Sequence, residues 1–203
     1  MINNYLKLIA IIFCGLMIQA CGDAKLTLIP HNATILAYGD SLTYGKGVEE
    51  EQSYPSVLAD LSNREVINAG ISGETTKQGL ARLARVLEES DPHLMILLEG
   101  GNDILRNQNL SQTKQNLASM IEMAQSQGVQ VLLIGVPEKK LFSNSAKIFP
   151  ELAEQYELVF EGKLIASLLR SPEYKSDSVH FNKLGYEKLA QSIYQLLQDQ
   201  EAL

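Results

Sequence analysis

Ser41 and, far from it in the chain, Asp177 and His180 are of the types that acyl transfer requires. A serine hydroxyl becomes a useful nucleophile when a base lies within hydrogen-bond reach, and His180 is the natural candidate. The imidazole serves as base only if its tautomer is fixed, which Asp177 can do by accepting a hydrogen bond from the far ring nitrogen. The tetrahedral intermediate then needs donors aimed at its developing negative oxygen. The backbone N–H groups of Ser41 and Gly73 and the side-chain amide of Asn102 are the candidates. A histidine base also predicts that rate falls on the acid side of the pH profile.

Each of these residues has a plainer reading when taken alone. A serine after a strand is commonly a turn residue or helix cap. Gly73 and Gly101 could simply supply positive φ, Asn102 a turn, Asp103 a helix cap, and His180 an exposed loop position. Their placement along the chain is what points to chemistry. Ser41 follows a short apolar run at residues 34–37, and Gly73 and Asn102 follow later runs in the same way. In an open parallel α/β sheet, the carboxyl ends of the strands are where ligands bind.

The elements that must position these residues can be read from periodicity. Residues 34–37, 65–68, 93–98, 129–136 and 157–160 read as strands, with 93–98 the most apolar and therefore central. Between them lie helical patterns. One starts at Ser53 as N-cap and ends near Leu61. A second is capped by Thr75 or Thr76 and buries Leu80, Leu83, Ala84 and Leu87. Gly79 inside it costs about 1 kcal/mol against alanine, which implies a close neighbour. A third opens at Ser111 and buries Leu117, Met120, Ile121 and Ala124, with Gly128 as its stop. Shorter helices are expected at 148–156 and 162–169. The last helix starts at Asn182 and buries Leu184, Leu189, Ile193, Leu196 and Leu197. This alternation predicts an α/β fold: a three-layer α/β/α sandwich around a parallel sheet of about five strands.

The chain has 203 residues, 45% hydrophobic and 20% charged, with a formal net charge of −7. That balance suits one globular domain and, with no basic run, argues against a nucleic-acid partner. Residues 1–20 differ from the rest: a short lysine-bearing start, an apolar stretch at 8–18, then Gln19-Ala20-Cys21. The stretch is short for a membrane span and reads as a secretory signal peptide. We read residues 21–32 as a tether and 33–203 as the domain. No group of side chains has metal-ligand spacing and no Gly-rich phosphate loop follows a strand, so no metal or other cofactor is implied.

Two resemblances sharpen this reading. Ile18-Gln19-Ala20-Cys21 resembles the lipobox of bacterial lipoproteins, although Gln19 departs from the small or β-branched residue usual there. It implies lipidation of Cys21 and a periplasmic or cell-surface protein anchored to a membrane. Separately, Gly39-Asp40-Ser41-Leu42, the Gly73 loop, Gly100-Gly101-Asn102-Asp103 and Asp177-Ser178-Val179-His180 resemble the ordered sequence blocks of the SGNH (GDSL) hydrolases. The run from Asn68 to Thr76 followed by Gly79-Leu80-Ala81-Arg82-Leu83 is most similar to the bacterial thioesterase–lysophospholipase–arylesterase branch. The resemblance implies a flavodoxin-like fold. It also implies Ser41 as nucleophile, His180 as base and Asp177 as its orienter, with Ser41, Gly73 and Asn102 forming an oxyanion hole. Phe181 stands where many members have proline. The glycine two residues after the serine of an α/β-hydrolase elbow is absent, because Thr43 occupies that position.

The implied activity is hydrolysis of carboxylic esters or thioesters, including acyl esters, aryl esters and lysophospholipids, through an acyl-enzyme. Ile104, Leu105, Val136 and Pro137 are expected to border an acyl pocket, with Arg106 available to a substrate phosphate or carboxylate. Two alternatives remain open from sequence: a carbohydrate O-acetylesterase acting on cell-wall or exported polysaccharide, and a non-catalytic acyl- or glycan-binding lipoprotein.

Overall fold

The computed structural model describes residues 24–139 and 143–203. The expected signal peptide at residues 1–20, and Cys21 with its expected lipid, lie outside the described residues. In chain order the elements are β1 (Ile35–Gly39), α1 (Ser41–Tyr44), α2 (Tyr54–Ser62), β2 (Val66–Gly70), α3 (Thr76–Ser90) and β3 (Leu94–Leu98). Then come α4 (Gly101–Leu105), α5 (Leu110–Ser126), β4 (Gln130–Ile134), α6 (Ile148–Gln155), β5 (Val159–Glu161), α7 (Leu164–Arg170) and α8 (Lys183–Asp199).

The strands form one parallel sheet in the order β2-β1-β3-β4-β5. Every residue of β1 and β3 is buried, as expected of strands covered on both faces. Their register runs from Ile35 against Leu94 to Gly39 against Leu98, so both strands end level. β2 is half-buried throughout and β5 has 3 residues, which fits their places at the two edges.

The chain steps from β1 to β2, then reverses to reach β3 on the other side. With right-handed crossovers this places α2 on one face and α3, α5 and α6 on the other. The packing agrees: α2 and α7 lie against α8, while α3 packs on α5 and α5 on α6. The result is the three-layer sandwich, with its topological switch point between the carboxyl ends of β1 and β3.

Gly39 is required at the end of β1. A Cβ there would stand 2.0 Å from the Leu98 carbonyl oxygen. The close neighbour implied for Gly79 is also present: a Cβ would meet Met120 Cε at 3.1 Å, and the Tyr38 hydroxyl donates to the Gly79 carbonyl at 2.6 Å.

Several local expectations are corrected. Residues 24–32 are not a free tether. Leu26 and Ile29 are buried, Thr27 N–H donates to Gln130 Oε1 at 2.6 Å, and Ile29 N–H donates to Ala202 O at 2.9 Å. Gln130 is the first residue of β4, so this strap docks at the end of the sheet opposite the strand carboxyl ends. Leu184 is exposed, because α8 buries the row Tyr186, Leu189, Ala190, Ile193 and Leu197, and Leu184 is off that face. Ala84 is exposed and Leu80 only half-buried, since α3 turns Thr76, Gly79, Leu83 and Leu87 inward. The helix expected to open at Ser111 is capped two residues earlier, by the Asn109 side chain accepting from Ser111 N–H at 2.9 Å. Ser53 precedes α2 but spends its hydroxyl on Ser56 Oγ at 3.0 Å rather than on a cap.

Candidate active site

Ser41 is the first residue of α1, a single turn whose N-cap is Asp40. Asp40 Oδ1 accepts from Leu42 N–H at 3.1 Å, which explains why the chain turns sharply after β1. The Ser41 N–H lies in the first turn, where a helix supplies no acceptor. The Ser41 hydroxyl meets His180 Nε2 at 3.1 Å, and His180 Nδ1 meets Asp177 Oδ2 at 2.7 Å. Residues from opposite ends of the chain thus converge at the switch point.

The loop that carries His180 is held from several sides. Asp177 Oδ1 accepts from the N–H groups of Val179 and His180, each at 2.8 Å. His180 O accepts from Ser176 N–H at 3.0 Å, and Asn182 N–H donates to Tyr174 O at 2.9 Å. Phe181 is fully buried and packs edge-to-face on Tyr186 with centroids 5.6 Å apart, so ring packing anchors the loop.

The His180 side-chain hydrogen bond, followed by the Val179 N–H, lowers the Asp177 pKa to about 2. Asp177 is therefore an anion at neutral pH and can only accept. The proton of a neutral imidazole must then sit on Nδ1, leaving the Nε2 lone pair toward the serine hydroxyl.

Asn102 lies in α4, the short helix that leaves β3, and its amide donates to Asp40 Oδ2 at 3.2 Å. Gly73 sits in the turn that leaves β2, at φ +83°. That turn is tied to the end of β1 by Ile71 N–H donating to Gly39 O at 3.0 Å. Asp103, a helix cap in its plainer reading, is buried. Its Oδ2 accepts from Thr76 N–H at 2.9 Å and its Oδ1 from Thr76 Oγ1 at 2.6 Å. It therefore joins α4 to the start of α3.

Two buried carboxyls lie behind the site. Burial raises the Asp40 pKa to about 6, against the opposing influence of the Leu42 N–H and of His180. Glu99, the residue after β3, is fully buried, and among the described residues neither carboxyl oxygen has a hydrogen-bond partner of good geometry. Burial first, then the neighbouring Asp40 and Glu74, pushes its pKa well above the usual carboxylate range. A neutral carboxyl is the form that such a position tolerates.

Beside Ser41 opens a cavity of about 670 Å³. Ile104, Leu105, Val136 and Pro137 line it, together with Leu42. Its far wall comes from α7, through Ile165, Ala166 and Leu169, which sequence reasoning did not assign to it. Their apolar spacing along a short helix looks the same whether the face packs on core or on a cavity. Arg106 does not line the cavity; its Nη2 donates to the Gly73 carbonyl at 2.8 Å.

Residues 37–188 match the family described as GDSL-like lipase/acylhydrolase. Among curated relatives, the chain is 38% identical over 130 residues to esterase TesA of Pseudomonas aeruginosa, covering 60% of this chain and 64% of that protein. It is 30% identical over 161 residues to thioesterase 1/protease 1/lysophospholipase L1 of Escherichia coli (strain K12), covering 74% of this chain and 76% of the relative. The matched stretch is thus just under two thirds of the length of the Pseudomonas protein. The solved crystal structure of TesA superposes with a TM-score of 0.74 at 28% identity, over 82% of this chain and 99% of that one. By the extent of that family match, this chain belongs to the GDSL-like lipase/acylhydrolase family.

Proposed function

We propose that this protein is a serine esterase that hydrolyses carboxylic esters and thioesters through an acyl-enzyme on Ser41. The observation that carries the proposal is the hydrogen-bonded series Ser41 Oγ, His180 Nε2, His180 Nδ1, Asp177 Oδ2, opening on an apolar cavity.

Ser41 Oγ attacks the carbonyl carbon as its proton passes to His180 Nε2. The carbonyl π pair moves onto oxygen, and the N–H groups of Ser41 and Gly73 with the Asn102 amide receive the negative charge. The intermediate collapses, the bond to the leaving oxygen or sulfur breaks, and the imidazolium protonates it. Water then attacks the acyl-enzyme, giving its proton to His180, which returns one to Ser41 Oγ as the carboxylic acid departs. The Asp177 anion stabilises each imidazolium that forms.

The cavity favours an acyl or aryl group of appreciable size. An acetyl group would leave most of about 670 Å³ unfilled, so the carbohydrate acetylesterase reading is not favoured. A binding protein has no use for a base aimed at a serine, so that reading is not favoured either. A series of nitrophenyl esters tests the proposal. Rate rising from acetate toward six carbons, and lost in Ser41→Ala, is the expected result; activity confined to acetate, or retained in Ser41→Ala, contradicts it.

We also propose export and anchoring through a lipid on Cys21, from the Ile18–Cys21 sequence. The strap from Ala24 docks opposite the site, and 5-residue strands rising about 3.3 Å per residue separate the two ends by roughly 17 Å. An anchored domain would hold its cavity away from the bilayer, toward esters in solution or on the surrounding wall. Fractionation of cells carrying the full chain tests this: wild type with the membranes and Cys21→Ser in the soluble fraction is expected, and equal partitioning contradicts it.

A further inference from the structure

Arg106 touches both residues that supply donors to the oxyanion from outside α1. Its backbone N–H donates to Asn102 O at 3.0 Å, closing α4, and its side-chain Nη2 donates to Gly73 O at 2.8 Å. We propose that Arg106 is a positioning residue that sets the Gly73 peptide against Asn102, so that both donors meet the same developing oxygen. The inference rests on the esterase reading above and assigns Arg106 no contact with substrate.

The Gly73 turn has few other fastenings. Ile71 N–H is held by Gly39 O at 3.0 Å, and Glu74 N–H by Ile71 O at 3.1 Å, so both flanks are fixed. Between them Gly73 sits at φ +83°, and among the described residues, its chain neighbours aside, the atom within 4 Å of where its Cβ would be is Arg106 Nη2, at 3.5 Å. A glycine at positive φ has unusual freedom to rotate its two peptide planes. A guanidinium donating to its carbonyl removes that freedom, and the orientation of the Gly73 N–H follows.

A second tie between the same segments separates positioning from folding. Asp103, buried on α4, accepts from the backbone and hydroxyl of Thr76 at the start of α3. That buried bond keeps the segments together when the exposed arginine is removed. Loss of Arg106 should therefore loosen the Gly73 peptide without unfolding the protein. Losing a whole oxyanion donor typically costs about 10²–10³ in rate, so a displaced donor should cost less, about tenfold.

The test compares wild type, Arg106→Ala, Arg106→Gln and Arg106→Lys on nitrophenyl butyrate, with Ser41→Ala as control. The expected result is a kcat about tenfold lower in the alanine and glutamine variants, with KM within about twofold and Tm unchanged, and partial recovery with lysine. Gly73→Ala, strained at this φ, should already displace the peptide. Arg106→Ala added to it should therefore lose little more, whereas independent effects would multiply. An unchanged kcat in Arg106→Ala overturns the proposal. So does a loss confined to KM and to anionic esters, which would make Arg106 a substrate contact. Activity persisting in Ser41→Ala would instead overturn the esterase reading itself.

Discussion

Asn102 donates an amide hydrogen to Asp40 Oδ2 at 3.2 Å, across 62 residues of chain. Asp40 also caps the helix turn that starts with Ser41, so one buried carboxyl orients both the proposed nucleophile and a proposed oxyanion donor. The same carboxyl should influence stability. Its folded pKa is raised from 3.8 to about 6, the reverse of the usual carboxylate case. Between those values the folded state binds more protons than the unfolded one, so stability falls as pH rises through that window. Asp40→Asn cannot ionise and should gain on wild type between pH 4 and pH 7, on the order of 1–3 kcal/mol, as read by denaturant unfolding. Glu99 is present in both proteins, and because the Asp40 charge helps raise its pKa, removing that charge shifts stability in the same direction. A stability gap independent of pH would contradict the assignment.

Asp177 is an unusual orienter in being 54% exposed, whereas His180 is 18% exposed. Water can partly replace what the carboxylate does for an imidazolium. Asp177→Asn should keep the turn, because an amide oxygen can still accept from Val179 and His180. It should lower kcat by less than the roughly 10⁴-fold attached to a buried triad aspartate. Steady-state kinetics with a neutral ester would check this, and an unchanged kcat would remove Asp177 from the mechanism.

Ala166 is the smallest apolar residue that α7 turns into the cavity. Ala166→Leu adds three carbons at a buried position and should shorten the accepted acyl group. The optimum in a nitrophenyl ester series should move by about two carbons, with rate on acetate within about threefold of wild type. An unmoved optimum would place the acyl group elsewhere.

Much of this architecture was legible in the chain because central strands leave an unambiguous pattern. Residues of β1 and β3 are apolar on both faces, and a candidate block begins at or just after the residue that breaks each run. The candidate site was legible for the same reason: Ser41, Asn102 and His180 lie just after or between elements whose order could be read. What escaped were features that need contacts rather than patterns. α1 and α4 are too short to show periodicity. The α7 wall looks like core. Asp103 reads as a helix cap until its Thr76 partner is seen. Arg106 reads as a substrate contact on charge alone, while its geometry sends it to Gly73. Leu184 reads as core from apolar content alone, which does not fix the phase of α8.

The account depends on a Ser41 hydroxyl activated by His180, and covalent trapping tests that most directly. Intact-mass and peptide analysis after exposure to a fluorophosphonate should give one adduct on Ser41. Labelling should be absent in Ser41→Ala and slowed at least about a hundredfold in His180→Ala. An adduct on another residue, or a His180→Ala variant that labels as fast as wild type, would contradict it.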